Sequence, residues 1–197
     1  MTAVMRIGEW GRARRLVAGA AGRFERALRR SLQTEAERAR DEIRAGLDRQ
    51  SPGGTSLSTL APMTLAARAL TRQTSRKALI ERGEMLRGVT DFVRGERAFV
   101  GIRRTARGRD GRPLAVIAQL QERGGTVRLR VTPAMRRFLA AAARVAGTAP
   151  RARGGASAAR TVRIPARPFL APSFLAATRG ARPRWARAIG RAMGWGV

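Results

Sequence analysis

Apolar residues recur every three or four positions between Arg12 and Arg49, at Leu16, Ala20, Phe24, Leu28, Leu32, Ala36, Ala39, Ile43 and Leu47. That spacing predicts one stripe of a long helix, stopped by Ser51-Pro52-Gly53-Gly54. Glu25/Arg29, Glu35/Arg38, Glu37/Arg40 and Asp41/Arg44 stand at supporting spacings on the other faces. The stripe does not hold a strict heptad, so it is expected to lie across a sheet rather than to form a coiled-coil seam.

Beyond a loop over 51–62, Thr64 to Leu70 predicts a short helix. Val89 to Arg94 and Arg97 to Arg103 flank Gly95-Glu96, where a leading glycine suits a tight hairpin turn. On that hairpin Ala98, Val100 and Ile102 share one face, with Phe99 opposite. Arg103 to Gly111 is a basic, glycine-punctuated loop, and the apolar run Leu114 to Gln121 is assigned to a helix. Val127, Leu129 and Val131 alternate with Arg128 and Arg130, the pattern of a half-buried strand. Thr132 then caps a helix with Pro133 in its first turn, whose buried face is expected to be Met135, Phe138, Leu139, Ala142 and Val145. Val162 and Ile164 resume alternation as an edge strand, and Pro183 opens a terminal helix with Trp185, Ile189 and Met193 on one side.

These elements predict an α+β fold: a small antiparallel sheet packed by a long N-terminal helix and one or two shorter helices. They divide the chain into the helix of residues 1–50, a core over 51–180 with flexible loops at 103–112 and 147–160, and a basic C-terminal helix or tail over 181–197.

Charge changes the picture more than any element does. There are 41 basic and 13 acidic residues, a net charge of +28. The last acidic residue is Glu122; sixteen arginines and no carboxylate follow it. A segment that cannot neutralise itself seeks phosphate, an acidic protein surface or anionic lipid. No stretch approaches the roughly 20 apolar residues that span a bilayer, so no membrane association is expected.

Candidate chemistry is sparse. The sequence has no His and no Cys, which removes the common acid–base and nucleophile pairs and the usual zinc ligands. Asp41 and Glu42 are adjacent on a helix and point apart. Arg107-Gly108-Arg109-Asp110-Gly111-Arg112 alternates glycines, but no long helix follows it as a phosphate loop requires. No enzyme activity and no cofactor are expected. Phosphate binding through the planar arginine fork remains. With no aromatic reading strand and only Trp10, Trp185 and Trp195, contact with nucleic acid is expected to be to the backbone.

The most constrained stretch is Val162-Arg163-Ile164-Pro165-Ala166-Arg167-Pro168-Phe169-Leu170-Ala171-Pro172-Ser173-Phe174. Three prolines fix their own φ and push the preceding residues toward extended geometry. They predict a stiff ribbon that stays out of helices and central strands and holds Arg167, Phe169 and Leu170 in place. Pro-Ala-Arg-Pro-Phe-Leu before a terminal helix resembles the closing motif of tailed-phage tail-completion proteins, the virion-morphogenesis family and its head–tail joining relatives. Upstream, Leu57, Leu60, Pro62 and Thr64, then Ala78 to Arg87, Val100-Gly101-Ile102, Ala118 to Gly125, and Val131 to Leu139 are similar to further family segments in the family order, over about residues 50–175. The chain departs from the family at Leu114-Ala115-Val116, where an aromatic is common, and in the Arg-, Gly- and Ala-rich stretch 147–160.

The resemblance implies a structural virion protein assembled in the host cytoplasm. Copies would form a ring, a hexamer, that caps the tail tube protein and receives neck, head-closure or connector proteins. Pro165, Arg167, Pro168, Phe169 and Leu170 are the candidate interface between copies or with partners. Arg107, Arg109, Arg151, Arg153, Arg163, Arg182, Arg187 and Arg191 are the candidate contacts with DNA backbone or an acidic partner ring. Two alternatives stay open at single residues. Arg167 could instead bond backbone carbonyls within its own subunit, and Phe169, Leu170 and Phe174 could be core. The runner-up function is a free, sequence-nonspecific nucleic-acid-binding protein, which accounts for the charge alone.

Overall fold

The computed structural model describes residues 11, 14, 17–148 and 159–194, the side chains of 159 and 160 excepted. The long stripe forms α1 (Ala20–Asp48), which buries Leu32, Ala36, Ala39, Ile43 and Leu47 as expected. Phe24 departs from the pattern and is largely exposed, because the core lies under the second half of the helix. A short 3-10 turn (Pro52–Gly54) follows, then α2 (Pro62–Leu70) and α3 (Glu84–Gly88).

β1 (Val89–Arg94) and β2 (Arg97–Ile102) form an antiparallel hairpin in the register Phe92↔Phe99 and Asp91↔Val100, turning at Gly95, whose φ is 59°. Val89, Asp91 and Val93 thus share a face with Ala98, Val100 and Ile102, as the alternation predicts. That face lies on α1. On the opposite face Phe92 and Phe99 stack with centroids 4.9 Å apart, and the Arg103 guanidinium sits 5.0 Å from the Phe92 centroid.

α4 (Leu114–Arg123) leads through Gly124 into β3 (Gly125–Arg130). α5 (Pro133–Val145) follows, capped by Thr132 Oγ1, which accepts from the Met135 N–H at 3.2 Å. β4 (Ala159–Ile164) pairs antiparallel with β3. The chain closes with α6 (Leu170–Thr178) and α7 (Ala181–Met193).

The α+β class stands, with three differences in detail. The strands make two separate two-stranded ribbons, β1–β2 and β3–β4, in place of one sheet. Among the described residues the β3–β4 ribbon packs on no other element to a comparable extent. α5 meets α2 through its small residues: Ala142 and Ala143 are buried, whereas Phe138, Leu139 and Val145, expected inside, are exposed. The proline ribbon stays out of a helix only as far as Phe169, which caps α6. Pro172 lies in the first turn of α6, where a residue's N–H has no helical partner to lose.

The core joins the C-terminal half of α1 (Ile43, Leu47) to Met85, Val89, Ile102, Leu114 and Ala118, and Phe169 fills its centre at 0 % exposure. Phe169 is held there by the last carboxylate of the chain. Glu122 accepts from the backbone N–H groups of Phe169 (2.9 Å), Leu170 (3.1 Å) and Ala171 (2.9 Å), satisfying the open first turn of α6 with charge-assisted hydrogen bonds. The Arg167 N–H also donates to the Gln121 carbonyl at 2.6 Å.

Candidate functional site

The ion pairs that spacing suggests along α1 are mostly replaced by ties across the fold. Arg40 bridges Asp41 (2.8 Å) and the nearly buried Asp91 of β1 (2.7 Å), and Gln33 donates to both Glu37 and Asp91. Arg44 donates to the Val89 carbonyl at 2.8 Å. Glu35, the partner expected for Arg38, instead takes a two-pronged contact from Arg184 of α7, at 2.7 Å and 2.5 Å. Gly180, with φ of 70°, makes the sharp turn that swings α7 back onto α1, and Arg184 also donates to the Ala177 and Arg179 carbonyls.

The Arg184 hydrogen bonds, and then the Arg184 and Arg38 charges, hold the Glu35 carboxyl below the usual glutamate range against the opposing effect of its burial. A carboxyl depressed in the folded state stabilises at pH above its unfolded value, and that contribution is lost as pH falls through the folded one. Glu35→Gln is therefore expected to melt below the wild type at neutral pH, with the gap closing as pH drops through the usual glutamate range and beneath it. Thermal melts across pH check this; parallel curves for the two proteins would show that the pair does not form.

This pair lies in a groove of about 680 Å³ between α1 and α7. Seven arginines and one carboxylate, Glu35, line it. From α1 come Arg23, Arg26, Arg30 and Arg38; from α7 come Arg184, Arg187 and Arg191. Ala27, Ala188 and Ala192 add small apolar patches. Trp185 also lines it, with its indole N–H buried and unpartnered among the described residues. No family profile, curated protein or solved structure matches this chain.

A second groove, of about 540 Å³, lies beside the 103–112 loop and is lined by Arg87, Arg103, Arg107 and Arg109. The loop is tied down by its own hydrogen bonds: Gly108 N–H to the Arg112 carbonyl at 2.8 Å, Leu114 N–H to the Ala106 carbonyl at 3.0 Å, and Arg109 N–H to Glu84 at 3.0 Å. The Arg107 guanidinium donates to the Arg104 carbonyl at 2.9 Å.

The residues singled out by sequence scatter among these features. Arg187 and Arg191 line the first groove, and Arg107 and Arg109 the second. Arg182 is exposed outside both, and Arg163 is exposed on β4 opposite Thr126. Arg151 and Arg153 lie outside the described residues. In the proline ribbon, Pro165 and Pro168 are exposed, and Leu170 packs half-buried against the core. Arg167 reaches the Ser58 and Thr59 carbonyls of the loop after the 3-10 turn, both at 3.4 Å. Phe169 is core, so within this subunit it offers nothing to a neighbour.

Sequence reasoning does not single out Arg26 and Arg30, and gives Arg38 only a pairing with Glu35. The four-residue step from Arg26 to Arg30 marks a row on one helix face. Only the turn at Gly180 brings the α7 row opposite it. Among the described residues no helix is long and apolar enough to cross a membrane.

Proposed function

We propose that this chain is a structural virion protein of the tail-completion type, acting at the junction of a phage tail with the head or neck. Copies form a ring, of hexameric order, that caps the tail tube and receives the neck proteins. Arginine-rich surfaces face the acidic partner ring or the DNA, and no bond of a substrate is made or broken.

The observation that carries this reading is the β3–β4 ribbon. A two-stranded ribbon whose one face is only half-buried, at Val127 and Leu129, is marginal in water, and its outer edges are open to pairing with another chain. Val162 on it is exposed, as are Phe138, Leu139 and Val145 of α5 and Phe174 and Leu175 of α6. Exposed apolar side chains on three elements suit a subunit that completes its packing against others. The ordered motifs between residues 50 and 175 add the tail-completion context.

Particles assembled without this chain are expected to give separate heads and over-long or unjoined tails under the electron microscope. Normal joined particles would rule the reading out. The second reading, a free nucleic-acid-binding protein, is favoured by the acid-free stretch after Glu122, yet it gives the uncovered apolar faces no role.

A further inference from the structure

We propose that the groove between α1 and α7 holds the phosphate backbone of a nucleic-acid strand, without regard to its sequence. The assignment deepens the virion reading by naming the surface and its ligand, and rests on it. It is decided with purified protein, whereas the virion role is decided in particles, so the two can fail separately.

The groove carries unsatisfied positive charge. The groove's one carboxylate is already committed to Arg184. The side chains of Arg26, Arg30 and Arg191 make no hydrogen bond or ion pair among the described residues. Arg187 spends only its Nε, on the Pro183 carbonyl of its own helix at 3.3 Å. Arg26 and Arg30 are one turn apart on one helix, and Arg187 and Arg191 one turn apart on the other, so each pair repels. The facing rows across the groove repel as well. Helices that present like charge to each other across a shared groove gain when an anion lies between them.

The distribution of the arginines selects the anion. From Arg26 to Arg38 the row on α1 extends about 18 Å along the helix, and from Arg184 to Arg191 the row on α7 extends about 10 Å. They line a trough instead of converging on a point, which suits a chain of phosphates better than a single small anion. An acidic protein would need an apolar anchor pocket at the centre of its contact. Here the lining offers only alanines and the flank of Trp185. A polar, strongly positive surface is the character of a nucleic-acid interface, and the guanidinium fork matches phosphate oxygens. No side-chain amide lines the groove to read adenine, and its one carboxylate, the group that would read cytosine, is held by Arg184.

The test uses the full chain and a short fluorescein-labelled DNA, as duplex and as single strand of random sequence, with anisotropy followed over a salt series. The quadruple variant Arg26→Gln/Arg30→Gln/Arg187→Gln/Arg191→Gln is expected to bind at least ~10-fold more weakly at low salt. Its log–log salt slope on duplex should be shallower by about 3.6, at about 0.9 for each of four phosphates no longer neutralised. Without DNA, the variant should melt no lower than the wild type, since repulsion has been removed. DNA should raise the melting temperature of the wild type only.

Should four changes prevent folding, Arg26→Gln/Arg30→Gln alone should reduce the slope by about half as much. The control Arg94→Gln/Arg97→Gln, exposed at the tip of the β1–β2 hairpin and lining neither groove, should bind nearly as the wild type. Three outcomes would each overturn the proposal: an unchanged slope in the quadruple variant, an equal weakening in the control, or displacement of DNA by polyglutamate at matched charge. The last would assign the groove to an acidic protein.

Discussion

Replacing Phe169 by alanine should cost about 3–5 kcal/mol of folding stability, the range for removing a buried aromatic side chain. That is a large share of the roughly 5–15 kcal/mol typical of a whole domain. Phe169 is fully buried among residues drawn from α1, α3, both strands of the β1–β2 hairpin and α4. Its main chain is fixed by Glu122 and, two residues earlier, by the Gln121 carbonyl, so the gap left by alanine cannot close by a shift of the ribbon. Phe169→Leu should recover most of the stability. Phe174→Ala should barely move the stability of the isolated subunit, because Phe174 is 44 % exposed. Urea unfolding of the three variants checks the contrast. A drop under about 1 kcal/mol for Phe169→Ala would mean that the side chain is not core in solution.

Gly53→Ala should be the most damaging change outside the core, at roughly 2–5 kcal/mol. Gly53 has φ of 60°, a conformation that costs an alanine about 1–2 kcal/mol. An added methyl would also stand 2.5 Å from the Pro172 carbonyl oxygen and 2.7 Å from its carbon, both backbone atoms of α6. Gly54→Ala supplies the control: its φ is also positive, at 88°, and nothing lies within 4 Å of an added methyl. The difference between the two unfolding free energies isolates the close approach of the 3-10 turn to α6. Equal destabilisation by the two changes would show that this approach is not made.

How far the sequence can be read depends on the range of the interaction concerned. The long helix, the β1–β2 hairpin with its faces, the Thr132 cap and the alternation of β3 all follow from neighbours within a few residues, and all are present. α5 misleads because large apolar residues are expected to point inward; of its expected face Ala142 is fully buried, but Ala143 stands beside it in place of Phe138, Leu139 and Val145. α6 escapes the sequence reading because proline argues against a helix except in the first turn, where Pro172 sits. The site divides in the same way. Arg187 and Arg191 stand out as charge, but their opposition to Arg26 and Arg30 depends on a turn more than 100 residues downstream of α1. Spacing pairs Glu35 with Arg38, and Arg184 takes Glu35 because its fork meets both oxygens at once.

The acid-free end of the chain is moored by two carboxylates that precede it in sequence, Glu122 beneath α6 and Glu35 beneath α7. Neither anchor has a substitute further on. In the intact chain the Glu35 side chain is only 11 % exposed, and a protein cut short after α6 would lose both the helix that covers it and the Arg184 counter-ion that faces it. The final helix is thus a fastening of the first one, and shortening the chain there loosens the opposite terminus.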